Sequence, residues 1–365
     1  MKKSLLFVDD DPFILDALRR QLRRYRKEWD VEFASGGTAA LEVMADRSFD
    51  IVVSDMRMPE MDGAEFLTHV MEQHPRTVRI ILSGQSEREV LFQTLAPAHQ
   101  YLSKPCDLEA LRDVIDYASR LREFLPNEEL CSVVSRIATL PAMESSVAAL
   151  KEECSKDEPS LDRIADIVAV DPCLSAEVLQ LANSPFFGVP GSAIEPKAAV
   201  QSLNKELIQQ LITRSTEVSV DASWPADFSP EELAVSSVDI ANRARQWVVD
   251  HNGDAHTADA AWTAGLLHGI GQIVLAVSLP DLYGQLLARA ATEERSRREV
   301  EHEELGTTHA QIGGYLLRMW RLPEPIVDAV TYHHSSDAIA RDTSALTALR
   351  EVTKSVGSEN LQDSV

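Results

Sequence analysis

The chain has 365 residues, 44% of them hydrophobic and 25% charged, which allows two or three domains with ordinary buried cores. Its net charge is −23, and −18 of this lies after residue 124, which argues against an output that binds nucleic acid. The four cysteines show no metal-binding or disulfide spacing, as expected in a reducing compartment, so we predict a cytoplasmic protein.

From residue 1 to about 120, short apolar runs alternate with helical patterns. The first run begins like a signal peptide, but the acidic residues 9–11 end it after four apolar residues, so a buried strand is the better interpretation. Strands are predicted at 4–8, 31–34, 51–54, 79–83 and 99–103. This alternation predicts βαβ units around a parallel sheet.

Polar residues follow four of these predicted strands. Asp9 and Asp10 follow the first, Asp55 the third, Ser83 the fourth and Lys104 the fifth. Because the carboxyl ends of parallel strands meet at one edge, we expect these side chains to converge. Crowded carboxylates repel one another unless a hard cation such as Mg²⁺ joins them. With a lysine and a hydroxyl beside them to hold an anion, they predict phosphoryl transfer to a carboxylate.

The motifs of this half resemble those of response-regulator receiver domains. They lie at 8–10 (Val-Asp-Asp), 54–63 (around Asp55), 81–84 (Ile-Leu-Ser-Gly) and 101–105 (Tyr-Leu-Ser-Lys-Pro), in matching order and spacing. The resemblance implies an α/β, flavodoxin-like fold with a five-stranded parallel sheet in the order 2-1-3-4-5. We expect this receiver domain over residues 1–122.

The resemblance also implies the roles of the site residues. Asp55 would accept phosphate from a sensor histidine kinase, with Mg²⁺ as the cofactor. The metal ligands would be Asp10 directly, Asp9 through water, Asp55 itself, and Arg57 through its backbone carbonyl.

Further roles concern the phosphorylated state. Lys104 would pair with the phosphate, and Ser83 would move toward it while Tyr101 turns inward as a switch residue. Pro105 would follow a cis peptide bond, a geometry that proline permits.

A basic run at residues 19–27 ends the first predicted helix. Cations at a helix C-terminus are favourable by themselves, so a solvated helix end explains the run. The receiver resemblance suggests kinase docking instead, and both interpretations stay open.

The helix predicted from about Asp107 carries apolar residues as far as Leu125, just before Pro126. We predict that residues 123–130 form a helical linker continuing this last receiver helix, with a dimer seam as the alternative.

Beyond Pro126, helical patterns separated by Pro, Asn and Gly predict an all-α output domain over residues 131–342, followed by a C-terminal helix or polar tail over 343–365. The most apolar stretch, at about 260–279, contains His268 and Gln272 and is closed by Pro280. Two buried core helices explain it better than a membrane span does, so we predict no membrane association.

Seven of the ten histidines lie beyond residue 250. A His-Asp pair with further histidines builds a metal phosphohydrolase, but here His268 is followed by Gly269, and Ser236 and Ser237 stand where a first ligand is needed. His268 is best explained as a buried imidazole bonded to a backbone carbonyl. The remaining candidates for a degenerate site are His268, His309, His333 and His334, with Glu304 and Asp328 as carboxylates that spacing does not exclude.

Residues from about 129 to 332 resemble the HDOD family, a helical relative of the HD metal phosphohydrolases. The motifs are at 140–141, 171–184, 265–268, 309–320, 322–323 and 333–334. The resemblance implies a mostly non-catalytic regulatory output with a vestigial HD site. Leu316 follows Gly314-Tyr315, so the Gly-Tyr-Pro signature of the cyclic-di-GMP-hydrolysing relatives is missing at this point.

These features predict a bacterial two-component response regulator whose non-catalytic output, once Asp55 is phosphorylated, binds a partner protein or a second copy of itself as a homodimer. Two alternatives stay open. One is a phosphorylation-gated metal phosphodiesterase using His268, His309, His333 and Glu304. The other is a cyclic-dinucleotide sensor that does not hydrolyse its ligand.

Overall fold

The structure, a computed structural model, describes residues 2–84, 98–104, 108–121, 125, 127–184, 186, 193–203, 205–221, 223–335 and 344–362. The chain forms two compact units. The first holds Met1–Phe124 together with Glu128–Ala138 and Ser184–Gly188, and the second holds Leu125–Asn127, Thr139–Asn183 and Val189–Val365. The predicted domain bounds stay predictions.

The first unit is built on a five-stranded parallel sheet. Its strands are β1 (Lys3–Val8), β2 (Trp29–Ala34), β3 (Ile51–Asp55), β4 (Val78–Ser83) and β5 (Gln100–Ser103). They lie in the order β2-β1-β3-β4-β5, so the predicted flavodoxin-like order is confirmed. β3 and β4 are buried along their whole length, because helices cover both faces of such a sheet.

Helices follow the strands of the first unit, and two of them begin at aspartate caps. The described ones are α1 (Pro12–Leu22), α2 (Gly37–Asp46), α3 (Gly63–Gln73) and α4 (Leu108–Arg120). Asp11 caps α1 by accepting from the backbone N–H of Phe13, and Asp62 caps α3 by accepting from Glu65. These two caps start helices directly beside the carboxyl edge of the sheet.

The predicted continuation of the last receiver helix into a linker is corrected by the structure. Helix α4 ends at Arg120, Leu125 and Asn127 lie outside any helix, and a separate helix α5 (Glu128–Ser135) begins afterwards. Pro126 supplies the physical reason, because a proline disfavours helical backbone at the residue before it. Helix α5 belongs to the first unit.

The second unit is all-α in its described residues, as predicted. Its helices are α6 (Glu144–Cys154), α7 (Leu161–Val168), α8 (Pro172–Ala182), α9 (Pro196–Ser202), α10 (Lys205–Asp221), α11 (Pro230–Asp250), α12 (Ala255–Leu267), α13 (Ile270–Ser278), α14 (Pro280–Thr292), α15 (Arg297–Leu305), α16 (His309–Met319), α17 (Glu324–Tyr332) and α18 (Ser344–Gln362). Of the two predictions for the C-terminus, the helix is the one observed.

The apolar stretch Ala255–Ser278 is long enough to cross a membrane, but 94% of its most apolar window is buried inside the protein. It forms α12 and α13, which pack closely on their neighbours through glycines. A Cβ on Gly265 would lie 2.6 Å from Cα of Ala241, and a Cβ on Gly271 would lie 1.9 Å from the carbonyl oxygen of His309. These close approaches bring the end of α12 against α11 and the start of α13 against the start of α16.

Candidate functional site

Three carboxylates meet at the carboxyl edge of the sheet. Asp9 and Asp10 follow β1, and Asp55 ends the neighbouring strand β3. Each offers an oxygen within 4.8 Å of the other two. Asp9 and Asp55 are buried, whereas Asp10 is exposed. The structure therefore brings together the three acidic residues that the sequence singled out.

Lys104, which follows β5, supplies positive charge to this cluster. Its Nζ lies 2.6 Å from Oδ1 of Asp55 and 2.8 Å from Oδ2 of Asp9. Burial raises the pKa of Asp55 above its usual value, with Asp9 adding to the effect and Lys104 opposing it. Burial lowers the pKa of Lys104, but its bonds to Asp55 and Asp9 together raise it further, so the lysine stays charged.

A glycine fixes the loop after Asp55. The backbone N–H of Gly63 donates to the carbonyl of Met56 at 2.8 Å, and a Cβ at position 63 would lie only 2.1 Å from the carbonyl oxygen of Asp55. Glu60 in the same loop has a φ of 67°, a left-handed conformation that is uncommon outside glycine. The loop thus holds the backbone of Asp55 in a single arrangement.

The predicted switch residues lie on β4 and β5. Ser83 ends β4 and is fully buried, with its Oγ 3.5 Å from the carbonyl of Gly84. Tyr101 is paired in register with Ile81 and is already 99% buried, although the sequence predicted an inward turn upon phosphorylation. Arg57 is exposed two residues beyond Asp55. The predicted cis bond at Pro105 lies outside the described residues.

The donor set at this edge fits Mg²⁺. Three carboxylate oxygens close together match the oxygen ligands that this ion prefers, and the exposure of Asp10 leaves room for the waters that it keeps. A cation here would also offset the repulsion between Asp9 and Asp55. The individual roles of these residues stay predictions.

In the second unit, the four predicted histidines form a cluster. Their ring centroids are 5.7 Å apart for His268 and His333, 5.3 Å for His309 and His334, and 3.9 Å for His333 and His334. All are buried except His334, which is half-buried. They come from the C-terminal end of α12, the start of α16 and the residues after α17.

Three imidazoles of this cluster, those of His268, His333 and His334, have lowered pKa values. Burial lowers the pKa of His268 to about 4 and that of His334 to about 3, and it brings the pKa of His333 well below the ordinary value. The other histidines of the cluster lower these pKa values further. Nδ1 of His268 lies 2.8 Å from the carbonyl oxygen of Gly265, as expected for a buried core imidazole.

The carboxylate at this cluster is Glu301 and not Glu304, which corrects the sequence prediction. Oε2 of Glu301 accepts from the backbone N–H of His309 at 2.8 Å and lies 2.7 Å from its Nδ1. On α15, Glu301 lies one turn before the buried Leu305, whereas Glu304 is exposed and pairs with Arg289. A helical-periodicity analysis of 297–305 would have found the inward position.

Asp328 is likewise engaged elsewhere, 2.8 Å from the guanidinium of Arg318.

The positions of the two missing HD ligands are also explained by packing. A Cβ on Gly269 would lie 2.7 Å from Cδ1 of Leu233, so a leucine fills the space beside the glycine. On α11, Ser236 is exposed and Ser237 is buried. Small residues therefore stand at the two positions where an HD site would need its ligands, and Leu233 fills the space beside one of them.

Two buried carboxylates inside the motif at 171–184 have partners that the sequence did not predict. Asp171 caps α8 and also accepts from the backbone N–H of Met143 at 2.8 Å. Glu177 accepts from the backbone N–H of Leu140 and from the hydroxyl of Ser215, each at 2.6 Å. Burial raises the pKa of Glu177 to about 7. Both side chains anchor the segment before α6, a role that no local sequence pattern reveals.

A buried arginine of the first unit was also missed. Arg79 on β4 is fully buried, and its Nη2 lies 2.6 Å from the carbonyl oxygen of Ser135. Nε2 of the buried His99 lies 3.1 Å from the same oxygen. Ser135 is the last residue of α5, where the helix dipole favours a cation. The sequence signal that was overlooked is an arginine inside a predicted buried strand, because a buried cation needs a partner.

The fold and the carboxylate edge define a receiver domain of the response-regulator class, followed by a helical output. The model of the response regulator receiver domain matches residues 5–116, and the HDOD domain model matches residues 140–336. Because the HDOD match spans more than half of the chain, this protein belongs to the HDOD family. A receiver joined to an HDOD output fits a role in signalling.

Curated relatives match parts of the chain. An uncharacterized protein of Treponema pallidum is 23% identical over 56% of this chain and 39% of its own length. The response regulator protein PilR of Pseudomonas aeruginosa is 31% identical over 37% of this chain and 30% of its own. The chain thus spans well under half the length of these two relatives.

Among solved structures, the MmoQ response regulator of Methylococcus capsulatus has a TM-score of 0.50 at 21% identity. The match covers 59% of this chain and 84% of that one, and it concerns the fold alone.

Proposed function

We propose that this protein is a phosphorylation-dependent response regulator in which Asp55 accepts a phosphoryl group from a sensor histidine kinase. The observation that carries the proposal is the meeting of Asp9, Asp10 and Asp55 at one sheet edge, with Lys104 bonded to two of them. Carboxylates this close together repel one another, and Asp9 and Asp55 are buried as well. Such an unfavourable arrangement, paired with a lysine, is typical of a functional site.

In the transfer step, a carboxylate oxygen of Asp55 attacks the phosphorus, the bond from phosphorus to the kinase imidazole breaks, and the imidazole nitrogen keeps the electron pair. When bound, Mg²⁺ neutralises charge on the phosphoryl oxygens. Asp9, Asp10 and the carbonyl of Arg57 would hold it. Lys104 then exchanges its bond to Asp55 for a phosphoryl oxygen, and Ser83 donates its hydroxyl to another.

The face that receives the kinase is proposed to be α1. Phe13 at its start is 81% exposed, and the basic residues at 19–27 lie exposed at its end. An exposed aromatic side chain beside a row of cations favours a protein partner that carries both apolar and acidic groups.

The switch strands contact segments that lie beyond the receiver match. Within the first unit, the hydroxyl of Ser184 donates to the carbonyl of Tyr101 at 3.1 Å. On the adjacent strand β4, Arg79 holds the end of α5 through Ser135. We propose that displacement of Ser83 and Tyr101 upon phosphorylation is passed to these segments and changes how the output binds a partner protein or a second copy.

Two other functions of the output have less support. Metal phosphodiesterase activity would need the bridging carboxylate of an HD pair, but Gly269 supplies none and Leu233 fills the adjacent space. If the output instead bound a cyclic dinucleotide without hydrolysing it, adding that ligand would raise the unfolding temperature of the protein. We favour a non-catalytic binding output.

The test uses the full chain, a small-molecule phosphodonor and Mg²⁺. The wild type should gain one phosphoryl group that hydroxylamine releases, as expected of an acyl phosphate, and should change its sedimentation or its partner binding, whereas Asp55→Asn should do neither. Asp46→Asn, an exposed aspartate at the end of α2, is the matched control and should behave as wild type. An Asp55→Asn protein that is labelled like wild type would overturn the proposal.

A further inference from the structure

Three histidines of the second unit bring ring nitrogens close together, at what is called the meeting point below. His309 begins α16, and His333 and His334 follow α17, which packs beside it. One nitrogen from each ring lies within 4.8 Å of the other two. Zn²⁺ binds imidazole nitrogens at about 2.0–2.1 Å, so small ring rotations would bring all three into its coordination sphere.

Hydrogen bonds decide which nitrogen of two of these rings is left to bind an ion. Nδ1 of His309 lies 2.7 Å from Oε2 of Glu301, and Nδ1 of His333 lies 2.8 Å from the carbonyl oxygen of Val330. Since these oxygens only accept, each Nδ1 carries the proton and each Nε2 keeps a free lone pair. A carboxylate or carbonyl behind the imidazole is the usual outer support of a metal-binding histidine.

An unsatisfied atom gives independent support. Nε2 of His333 is buried, in a residue that is 99% buried, and it has no hydrogen-bond partner among the described residues. A buried polar atom without a partner is destabilising, and few occur in folded proteins. A bound cation at the meeting point would satisfy this nitrogen.

The meeting point is also accessible. His334 is half-buried and lines an open cleft of about 730 Å³, together with Arg298, Glu299 and Thr308. An ion could therefore enter from solvent. Three protein ligands would leave a fourth position toward the cleft for water or another small ligand.

The geometry points to a divalent transition-metal site, of the type that Zn²⁺ occupies, formed by His309, His333 and His334, with Glu301 as a positioning residue. Imidazole ligands suit Zn²⁺ and its neighbours, whereas the oxygen ligands of the receiver edge suit Mg²⁺. The site needs no HD carboxylate, because it is proposed for binding and not for hydrolysis. It does not depend on phosphorylation of Asp55.

The test is a titration of the full-length, untagged protein with Zn²⁺, and with Co²⁺ as a spectroscopic probe, after removal of metals by a chelator. Excess Mg²⁺ is kept present to occupy the receiver edge. The proposal predicts one equivalent of bound Zn²⁺, visible absorption from bound Co²⁺ and a higher unfolding temperature. Absence of stoichiometric binding of both ions would overturn it.

Variants locate the ion. His334→Ala removes a half-buried ligand and should weaken Zn²⁺ binding at least about 100-fold, and Glu301→Gln should weaken it roughly 10–100-fold because it removes only the support of His309. His256→Ala, an exposed histidine outside the cluster, should bind as wild type. Binding that survives His334→Ala, or is lost equally in His256→Ala, would place the ion elsewhere and refute the assignment.

Discussion

The buried carboxyl of Glu177 makes the stability of the second unit depend on pH. Its pKa is about 7 in the folded protein, against an ordinary value of 4.5. Between these two values the folded state holds a proton that the unfolded state has released, so the free energy of unfolding falls as pH rises. The difference of about 2.5 between the two pKa values lowers the free energy of unfolding by about 3 kcal/mol, and this loss is complete above pH 7.

Glu177→Gln should remove this dependence. The amide oxygen can still accept from the backbone N–H of Leu140, and its NH₂ group can donate to the hydroxyl of Ser215. We therefore expect the variant to match wild type near pH 4.5 and to be more stable, by up to about 3 kcal/mol, at pH 8.

The measurement is urea unfolding at several pH values, followed by tryptophan fluorescence. This signal reports mainly on the second unit, because only Trp29 of the five tryptophans lies in the first. Taking the difference between variant and wild type removes the titration of all other groups. Glu158→Gln, an exposed control, should show no difference at any pH. A Glu177→Gln difference that stays constant from pH 4.5 to 8 would refute the reasoning.

Two further predictions concern packing. Gly271→Ala should destabilise the second unit by about 3 kcal/mol, because the new Cβ would lie 1.9 Å from the carbonyl oxygen of His309. Gly284→Ala should be neutral or stabilising by up to about 1 kcal/mol, because its nearest contact lies at 3.5 Å. Thermal unfolding distinguishes them, and equal shifts would contradict the argument. Arg79→Met should lower the free energy of unfolding by about 1–3 kcal/mol and should speed hydrogen exchange in α5, because the bond to Ser135 is lost. Unchanged exchange in α5 would refute this role of Arg79.

The receiver fold and its acidic edge were predictable because each signal is local. Strand alternation predicted the βαβ order, and polar residues at or just beyond the carboxyl ends of β1, β3, β4 and β5 share one edge because parallel strands end together there. The sequence could also indicate an all-α second unit, because helical periodicity and Pro and Gly punctuation act over a single turn or two.

Contacts between distant residues escaped the sequence. Helical periodicity could have placed Glu301 rather than Glu304 on the buried side of its helix, but its bond to His309 joins two helices and has no sequence pattern. The bond from Arg79 to Ser135 spans 56 positions, and no pattern links them. The helical linker was predicted from apolar spacing alone, and the effect of Pro126 on the residue before it outweighed that spacing.

The central claim is that phosphorylation of Asp55 changes the structure of two segments that contact β4 and β5, namely residues 128–138 and 184–188. The most direct test is hydrogen exchange of the full chain with and without a phosphodonor and Mg²⁺. We predict altered exchange in residues 128–138 and 184–188 of the wild type, and none in Asp55→Asn. Wild-type protein that is fully phosphorylated yet unchanged in both segments would contradict the account.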